Sequence, residues 1–429
     1  MRISGLSVLL CVLLAACTND VVGRPARERP RLPVRDIGPG EAQPDAPRCI
    51  PSDSATATYG TTGHDEFRDV AVTADGSIVI TGFENGHTSS AGIPLGSRGI
   101  VLEYDTHFTP LASLDTNGTD AFESIALDPA DGRVWLAART DAAVPAFAGY
   151  GAIDVLLGDL GSSGFRPMAR GFYATPEYPK QLAAGGGLVA IAGHEERAMN
   201  DGSARDNPFL AAFGARDGMP RRWMTTRRHS DAERYTAVDV SAEGVVSGGA
   251  IRAGELPGMF VIAWDQDAGV RWQHRLSTLG SDELAAIRIL PGGDVLWAGS
   301  TGALLGDDWH GGTDIVVGRL SATGASMWIA QLGTERDEHV ADLAVDGAGR
   351  IYVAGDLTAA DSSERDAFLL VLDEAGDIVI EEQWISSGDD VPTALAVDAC
   401  GTVVLVGTTL AGPTRGGRDG FVIVTQAGE

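Results

Sequence analysis

Residues 337–355 read Asp-Glu-His-Val-Ala-Asp-Leu-Ala-Val-Asp-Gly-Ala-Gly-Arg-Ile-Tyr-Val-Ala-Gly, and this stretch decides the fold of the chain. Two short apolar runs, at residues 343–345 and 351–354, flank an acidic, glycine-bearing turn. Apolar runs on either side of such a turn are typical of a β-hairpin, because glycine adopts the backbone angles that a tight turn requires. The stretch therefore predicts two antiparallel strands.

The same pattern is written seven times along the sequence, with first apolar runs at residues 70–72, 125–127, 182–184, 238–240, 287–289, 343–345 and 395–397. Each copy has a third apolar run further along. A fourth segment follows in most copies, and four of these segments carry a tryptophan, namely Trp223, Trp272, Trp328 and Trp384. Units of four strands repeated along a chain predict an all-β fold, here a seven-bladed β-propeller with four-stranded antiparallel blades.

The two ends of the repeat region complement each other. The last copy shows three strand-like runs before Glu429, so it lacks a fourth. Residues 57–61 precede the first copy and match the end of a fourth strand, since Tyr59-Gly60-Thr61 aligns with Leu332-Gly333-Thr334. We therefore expect the amino-terminal strand to complete the last blade, which would remove two exposed sheet edges.

Residues 366–376, in the sixth copy, read Asp-Ala-Phe-Leu-Leu-Val-Leu-Asp-Glu-Ala-Gly. An Asp, an aromatic residue, an apolar run and then Asp and Gly resemble the repeat of the bacterial SBBP proteins, whose name stands for seven-bladed β-propeller. Asp419-Gly420-Phe421 matches this pattern in part, and copies two to four depart from it. The resemblance covers residues 54–429 and implies the fold, but little about function, because propellers host unrelated functions.

The net charge of the chain limits the classes of partner that it can bind. The 429 residues carry a formal net charge of -27, and a nucleic-acid partner would require a basic surface. We therefore expect no nucleic-acid binding. Strong acidity favours solubility in an exposed compartment, and an acidic binding surface is the alternative.

The amino terminus is typical of an exported protein. Arg2 is followed by an apolar run at residues 6–14, which is too short to span a bilayer and predicts a secretory signal peptide. Leu14-Ala15-Ala16-Cys17 also resembles the bacterial lipobox, and this resemblance implies cleavage after residue 16 and acylation of Cys17. Thr18 then points to the outer membrane under the common sorting rule. A plain secreted protein with an incidental Cys17 is the alternative.

These boundaries divide the chain into three parts: a lipoprotein signal peptide at residues 1–16, a tether at residues 17–51, and the propeller at residues 52–429. Proline and arginine dominate the tether, which leaves few apolar residues to bury. Such a composition favours a semi-extended segment. We expect a lipid-anchored envelope protein, periplasmic or surface-exposed, whose tether holds the propeller away from the membrane.

Two cysteines remain in the mature chain after Cys11 is removed with the signal and Cys17 is acylated. Cys49 leads into the lone amino-terminal strand, and Cys400 lies in the first turn of the last blade, which that strand joins. Thiols in exported proteins are candidates for disulfides. We predict a Cys49–Cys400 disulfide across the seam of the ring; two unpaired thiols are the alternative.

Acidic residues recur before the first strands, at Asp65, Asp120, Asp231, Asp282, Asp337 and Asp389. A short carboxylate at a strand start commonly accepts hydrogen bonds from backbone amides, so we interpret these residues as loop caps. Histidines such as His64, His229 and His339 lie nearby, which leaves a divalent-metal site at the channel mouth as the alternative. No metal or cofactor is predicted.

Two neighbouring copies carry a charge at the centre of the first strand, where the other five have alanine. These residues are Asp239 and Arg288. First strands line the crowded axis of a propeller, where a charge requires water or a partner. We predict that the two side chains reach the channel or each other; a purely structural ion pair is the alternative.

Motifs for known chemistry are missing from the sequence, which contains no Gly-x-Ser-x-Gly elbow and no Walker-type phosphate loop. The four tryptophans are interpreted as packing between blades, with a sugar-binding cage as the alternative. The leading hypothesis is a monomeric, non-enzymatic propeller that binds a protein or glycan partner. The alternatives are an extracytoplasmic hydrolase or lyase with its site at the channel mouth, and a mainly structural envelope protein.

Overall fold

The computed structural model describes residues 49–50, 55–88, 94–116, 118–142, 153–171, 175–198, 204–216, 218–226, 233–251, 258–277, 280–306, 308–358, 364–410 and 417–427. The chain divides into two compact units, residues 1–36 and 37–429, and the first falls outside the described residues. In the described part, no helix has the length and apolar character needed to cross a membrane.

Seven four-stranded antiparallel sheets form the ring, as the repeat predicts, and we number them as blades 1 to 7. The innermost strands of blades 1 to 7 are His64–Val72, Ala121–Leu127, Glu177–Gly185, Glu233–Ser241, Asp282–Ile289, Glu338–Val345 and Asp390–Val397. The second strands are Ile78–Thr88, Val134–Thr140, Leu188–Ala198, Gly244–Ile251, Val295–Thr301, Ile351–Thr358 and Thr402–Thr409.

The third strands of blades 1 to 7 are Arg98–Tyr104, Asp154–Gly161, Ala204–Gly214, Gly258–Trp264, Asp314–Leu320, Arg365–Leu372 and Asp419–Gln426. The outer strands of blades 1 to 6 are Phe108–Leu114, Gly164–Arg170, Arg221–Thr225, Val270–Ser277, Ser326–Leu332 and Ile378–Trp384. A two-residue strand, Pro94–Leu95, also pairs with the second strand of blade 1. The outer strand of blade 7 is Ala55–Tyr59, from the other end of the chain.

The turn between the first two strands of blade 6 shows how an acid and a glycine act together. In blade 6, Asp346 Oδ1 accepts hydrogen bonds from the backbone amides of Ala348 (2.9 Å) and Arg350 (3.0 Å). Gly349 has φ of 83°, which a residue with a side chain adopts only under strain. The carboxylate and the glycine together close the hairpin that begins blade 6.

Every innermost strand carries a β-bulge at the same place. The pairing with the second strand skips one residue in each blade, and the skipped residues are Arg68, Glu123, Lys180, Thr236, Ala285, Ala341 and Thr393. A bulge increases the local twist and leaves its extra residue outside the ladder. The seven bulges therefore place one side chain per blade at equivalent positions around the ring.

The hydrophobic core lies between blades. Leu296 and Ile315 of blade 5 share one buried cluster with Leu343 and Val353 of blade 6, and equivalent clusters join the other neighbours. Burial of apolar surface is the main favourable term in folding, and here each sheet buries its faces against the next. The blades consequently stabilise one another as a ring.

Blade 7 is completed by strand Ala55–Tyr59, which pairs antiparallel with Asp419–Gln426 so that Thr58 lies opposite Phe421. Ala57 and Tyr59 pack against the core shared by blades 7 and 1. Both ends of the repeat region therefore contribute to one sheet.

A disulfide joins Cys49 to Cys400, as the sequence predicts, with 5.7 Å between their Cα atoms. The next residue, Ile50, is buried and donates its backbone N–H to Asp398 at 2.8 Å. Cys400 lies in the turn between the first and second strands of blade 7. The chain therefore enters the ring at that turn.

The ring has two different faces. One face carries the short turns between first and second strands and between third and outer strands, and we name it the turn face. The opposite face, the loop face, carries the connections between second and third strands and those between blades, which include the longest ones, such as that from Thr140 to Asp154. The disulfide lies on the turn face.

Candidate functional site

The axis of the ring contains a cavity of about 200 Å³ lined by the innermost strands. Its polar lining comes from Asp69, Gln181, Asp239, Arg288 and Asp342. These side chains come from five different blades, so the channel brings polar groups from most of the ring into one cavity.

Most of these polar side chains bond to the next blade. Asp69 Oδ2 accepts hydrogen bonds from the Ile125 backbone amide at 3.0 Å and from Ser124 Oγ at 2.6 Å, while its Oδ1 accepts the Val70 amide at 2.8 Å. Both carboxylate oxygens are therefore engaged. A buried polar group that is fully bonded fixes the position of its partners.

The same kind of bond spans the other blade boundaries. The pairs are Leu182 N to Ser124 Oγ (3.0 Å), Val238 N to Gln181 Oε1 (2.8 Å), Ile289 N to Asp239 Oδ2 (2.7 Å), Val340 N to Ser300 Oγ (2.9 Å), Leu395 N to Asp342 Oδ2 (3.1 Å), and Thr393 Oγ to the Phe67 carbonyl (2.8 Å). We call this set the inter-blade ring. It joins each blade to the next, so the polar lining of the channel has a structural role.

Asp239 and Arg288 both line the channel cavity. Arg288 forms its ion pair with Asp342 of blade 6, at 3.0 Å. Asp239 instead accepts the Val240 and Ile289 amides. Burial raises the pKa of Asp239, and the nearby Arg288 charge offsets part of that rise. The sequence analysis did not identify Asp342 as the partner of Arg288.

Asp69 is a channel carboxyl group with a strongly raised pKa. Burial raises its pKa to about 6, the Asp342 charge adds to this, and the hydrogen bonds from Ser124 and from the Ile125 and Val70 amides oppose it. Carboxyl groups that titrate near neutral pH are candidates for acid–base chemistry. Here, however, Oδ2 already joins blade 1 to blade 2, and Oδ1 accepts the Val70 amide of its own strand.

The repeated acids on the loop face accept hydrogen bonds as caps do. Asp65 binds the Thr61 amide at 2.6 Å and the Asn85 amide at 2.9 Å. Asp120, Asp337 and Asp389 accept the amides of Thr116, Thr313 and Arg365, and Asp282 accepts the Thr301 hydroxyl. Asp231 and His229 lie outside the described residues. In the described part of the chain, no three His, Cys, Asp or Glu side chains lie close enough to hold a metal ion.

A cluster of charged side chains lies beside the inter-blade ring, toward the loop face. Three consecutive blades carry a charged bulge residue, Arg68, Glu123 and Lys180, whereas the bulges of the other four blades are uncharged. Glu66 and Arg139 complete the group, which we call the mouth cluster. Innermost strands run from the loop face to the turn face. Each bulge residue therefore lies nearer to the loop face than the residues that follow it in the strand.

Ion pairs connect the mouth cluster across the boundary between blades 1 and 2. Arg68 lies 2.8 Å from Glu66 and 3.8 Å from Glu123, and Arg139 lies 2.8 Å from Glu123. Burial would raise the pKa of Glu123, but the charges of Arg139, Arg68 and Lys180 outweigh it and hold the pKa below its ordinary value. Glu123 is therefore a fixed anion that organises three cations.

Lys180 is the only lysine among the 429 residues; the other basic side chains are all arginines. It is exposed, and among the described residues it makes no hydrogen bond and no ion pair within 4.0 Å. Crowding by protein lowers its pKa, Glu123 opposes that shift, and Arg68, Arg234 and Arg139 add to it. Arg234 itself is neutralised by Asp206, whose carboxylate accepts its Nε–H at 2.6 Å.

The outer-strand tryptophans pack against neighbouring blades, as the sequence analysis interpreted them. Trp223 and Trp272 each donate their indole N–H to a backbone carbonyl of the next blade, of Gln266 and Ala322 respectively, at 2.9 Å. Trp328 lies against Gly376 of blade 6. These rings are therefore part of the inter-blade contact.

Comparison with known proteins identifies the fold. No family model matches the chain, and no curated protein matches it. A solved protein of unknown function from Dyadobacter fermentans is 14% identical, with a TM-score of 0.50 over 86% of this chain and 98% of its own. An α-L-arabinanase from Penicillium chrysogenum, solved with arabinobiose, is 11% identical, with a TM-score of 0.48 over 87% of this chain and 98% of its own. At 14% identity the likeness to the Dyadobacter protein concerns the fold alone. The seven sheets of the structure make the chain a seven-bladed β-propeller.

Proposed function

We propose that this protein is a ligand-binding module of the bacterial cell envelope, anchored by lipid at Cys17, that binds its partner at the mouth of the channel on the loop face. One observation carries the proposal: the entry of the chain into the ring and the mouth cluster lie toward opposite faces. Cys49 is bonded to Cys400 on the turn face, while Arg68, Glu123 and Lys180 lie toward the loop face.

This arrangement suits an anchored receptor. A tether at residues 17–51 that ends at the Cys49–Cys400 disulfide would direct the turn face toward the membrane. The loop face, with the channel mouth, would then be presented to a protein or glycan partner. A lipid anchor of more than one acyl chain holds a protein firmly on a bilayer. The proposed monomer would therefore bind at a fixed orientation.

Binding is favoured over hydrolysis or elimination by the state of the channel carboxyls. A general acid or base must lie within hydrogen-bond reach of the proton that it transfers. Asp69, whose pKa is about 6, has both oxygens engaged: Oδ2 joins blade 1 to blade 2, and Oδ1 accepts the Val70 amide of its own strand. Glu123 is held as an anion by three cations, which disfavours service as an acid.

The anchor is tested by expressing the full chain in a bacterial host with a radiolabelled fatty acid, beside the variants Cys17→Ser and Cys11→Ser. We expect the unsubstituted chain and Cys11→Ser to be labelled and to sediment with membranes, and Cys17→Ser to lose both properties. Equal fractionation of all three chains would refute the lipid anchor. Binding is tested by capture of envelope components with the detergent-solubilised full chain, and failure to enrich any component would refute the receptor function.

A further inference from the structure

The mouth cluster has the charge of a site for a single anionic group. Arg68, Arg139 and Lys180 carry three positive charges, and Glu66 and Glu123 carry two negative charges, so the cluster has a net charge of one. The whole chain carries -27, so this excess is local. Screening confines its attraction to about 8–10 Å in physiological salt. A monoanion would neutralise the cluster, whereas a dianion would reverse its charge.

Two cations of the cluster have capacity to bind. Lys180 is an exposed residue, and its ammonium, although crowded by protein, has no partner within 4.0 Å among the described residues. The Nε of Arg68 is buried without a hydrogen bond, and the Glu123 carboxylate lies 3.8 Å from it. A buried donor without a partner costs free energy, and native proteins rarely leave one unexplained.

The remaining members position these cations. The side chain of Arg139 is 7% exposed and that of Glu123 is 11% exposed, so neither offers much surface to a ligand. Arg139 lies 5.8 Å above the ring of Tyr178, which packs on His194 at 5.1 Å. Arg139 therefore fixes Glu123, whose negative charge attracts both Arg68 and Lys180.

We propose that the mouth cluster binds the carboxylate of a small ligand, with Lys180 as the direct contact and Arg68 as the second cation. The inference rests on the proposed binding function and names the chemistry of its ligand. A carboxylate is a common monoanion of biological ligands that a lysine and an arginine bind by charge-assisted hydrogen bonds. Acidic saccharides and acidic peptides both supply it.

The sole lysine gives a direct experiment on the full chain. An amine-reactive ester can label Lys180 as the one side-chain amine, and peptide analysis separates it from the amino terminus. We expect glucuronate to slow the labelling of Lys180 and glucose, which has the same ring without the carboxylate, to leave it unchanged. N-acetylglutamate and N-acetylglutamine form the corresponding peptide pair, and the pair with the larger effect assigns the source.

Calorimetric titration with the effective acid then tests the two cations. Lys180→Gln is expected to weaken binding about 10-fold or more, the loss for one charge-assisted hydrogen bond, and Lys180→Arg is expected to restore most of it. Arg216→Gln, which removes an exposed cation on the turn face, is the matched control and should change nothing. Any of three results would overturn the inference. The first is that glucuronate acts like glucose and N-acetylglutamate acts like N-acetylglutamine. The second is tighter binding of inorganic phosphate, and the third is unchanged binding in Lys180→Gln. If the Lys180→Gln variant still captures an envelope component, the inference would also be overturned, and the proposed binding function would stand.

Discussion

The hydroxyl of Ser124 donates a hydrogen bond of 2.6 Å to Asp69 and accepts one of 3.0 Å from the backbone amide of Leu182. One side chain of blade 2 thus joins blade 1 to blade 3. Similar bonds continue around the axis until Thr393 of blade 7 reaches the Phe67 carbonyl of blade 1. A ring of blades held mainly by apolar contacts could slide, and directional bonds of this kind fix the register between neighbours.

Asp69 predicts a pH dependence of stability. Its pKa is about 6 in the fold against an ordinary value of 3.8, so the fold favours the neutral acid. The neutral form of Asp69 contributes roughly 2–3 kcal/mol to the free energy of unfolding. This contribution is complete below about pH 4 and is lost as the pH rises through about 6. Urea unfolding of Asp69→Asn between pH 4 and 7.5 is expected to show a stability that falls less with pH than that of the unsubstituted protein. Asp267→Asn, at an exposed turn position, is the control; an unchanged pH slope in Asp69→Asn would contradict the assignment.

Asp342 predicts a strong loss of stability on truncation. It accepts the amides of Leu343 and Leu395 and pairs with Arg288 at 3.0 Å. Asp342→Ala leaves a mostly buried cation unpaired and should cost about 3–5 kcal/mol. Arg288→Met should cost less, because Asp342 keeps its two amide donors.

The double variant of Asp342 and Arg288 isolates their pairing. Its loss of stability, measured by urea unfolding, is expected to be at least about 1 kcal/mol smaller than the sum of the single losses. Additive losses would contradict a direct interaction. Replacement of Asp239 and Arg288 together by alanine should lower stability and leave ligand capture intact, since both belong to the channel lining and not to the mouth cluster.

The outer strand of blade 7 predicts opposite behaviour at adjacent positions. Ala57 packs against the core shared by blades 7 and 1, and Thr58 is exposed. Ala57→Asp would bury a charge and should lower the melting temperature and release the strand from the sheet. Thr58→Asp, with the same new charge one residue away, should melt within a few degrees of the unsubstituted protein. Protease cleavage before residue 60 measures release, and equal cleavage of both variants would refute this strand pairing.

The Cys49–Cys400 bond predicts a redox-dependent stability. It joins residues 351 apart in sequence, and constraint of so long a loop in the unfolded chain is worth about 4 kcal/mol or more. The double variant Cys49→Ser, Cys400→Ser should unfold at lower urea, and reductant should bring the unsubstituted protein to the same midpoint. A reductant effect of equal size on the double variant would show that another cause is at work.

The fold could be predicted from the sequence because the apolar runs repeat at a regular spacing and are joined by recognisable turns. Residues 343–345 and 351–354 fall within strands Glu338–Val345 and Ile351–Thr358, and the acid–glycine turn between them closes as expected. The Cys49–Cys400 pairing followed from the position of each cysteine relative to the seam. These features are local or follow from the order of strands, so a single sequence contains them.

The mouth cluster and the partner of Arg288 escaped sequence reasoning for a physical reason. A bulge shifts the alternation of a strand by one residue, so Arg68 and Lys180 cannot be placed from periodicity alone. Asp342 directly precedes an apolar run, and nothing in its local sequence shows that it meets Arg288 across a blade boundary. A signal did exist: aligned by their bulges, the seven copies read Arg, Glu, Lys, Thr, Ala, Ala and Thr, with charge confined to three consecutive blades.

The position of the disulfide also decides how the molecule would respond to mechanical load. Tension applied through residues that precede Cys49 passes through the sulfur atoms to Cys400, and from there into the hairpin of blade 7. Strand Ala55–Tyr59 lies beyond this branch point, so it is shielded from the pull. Without the covalent bond, the same tension would act on the end of that strand and peel it away one hydrogen bond after another. A ring that is closed by a short terminal strand can in this way withstand shear at a surface.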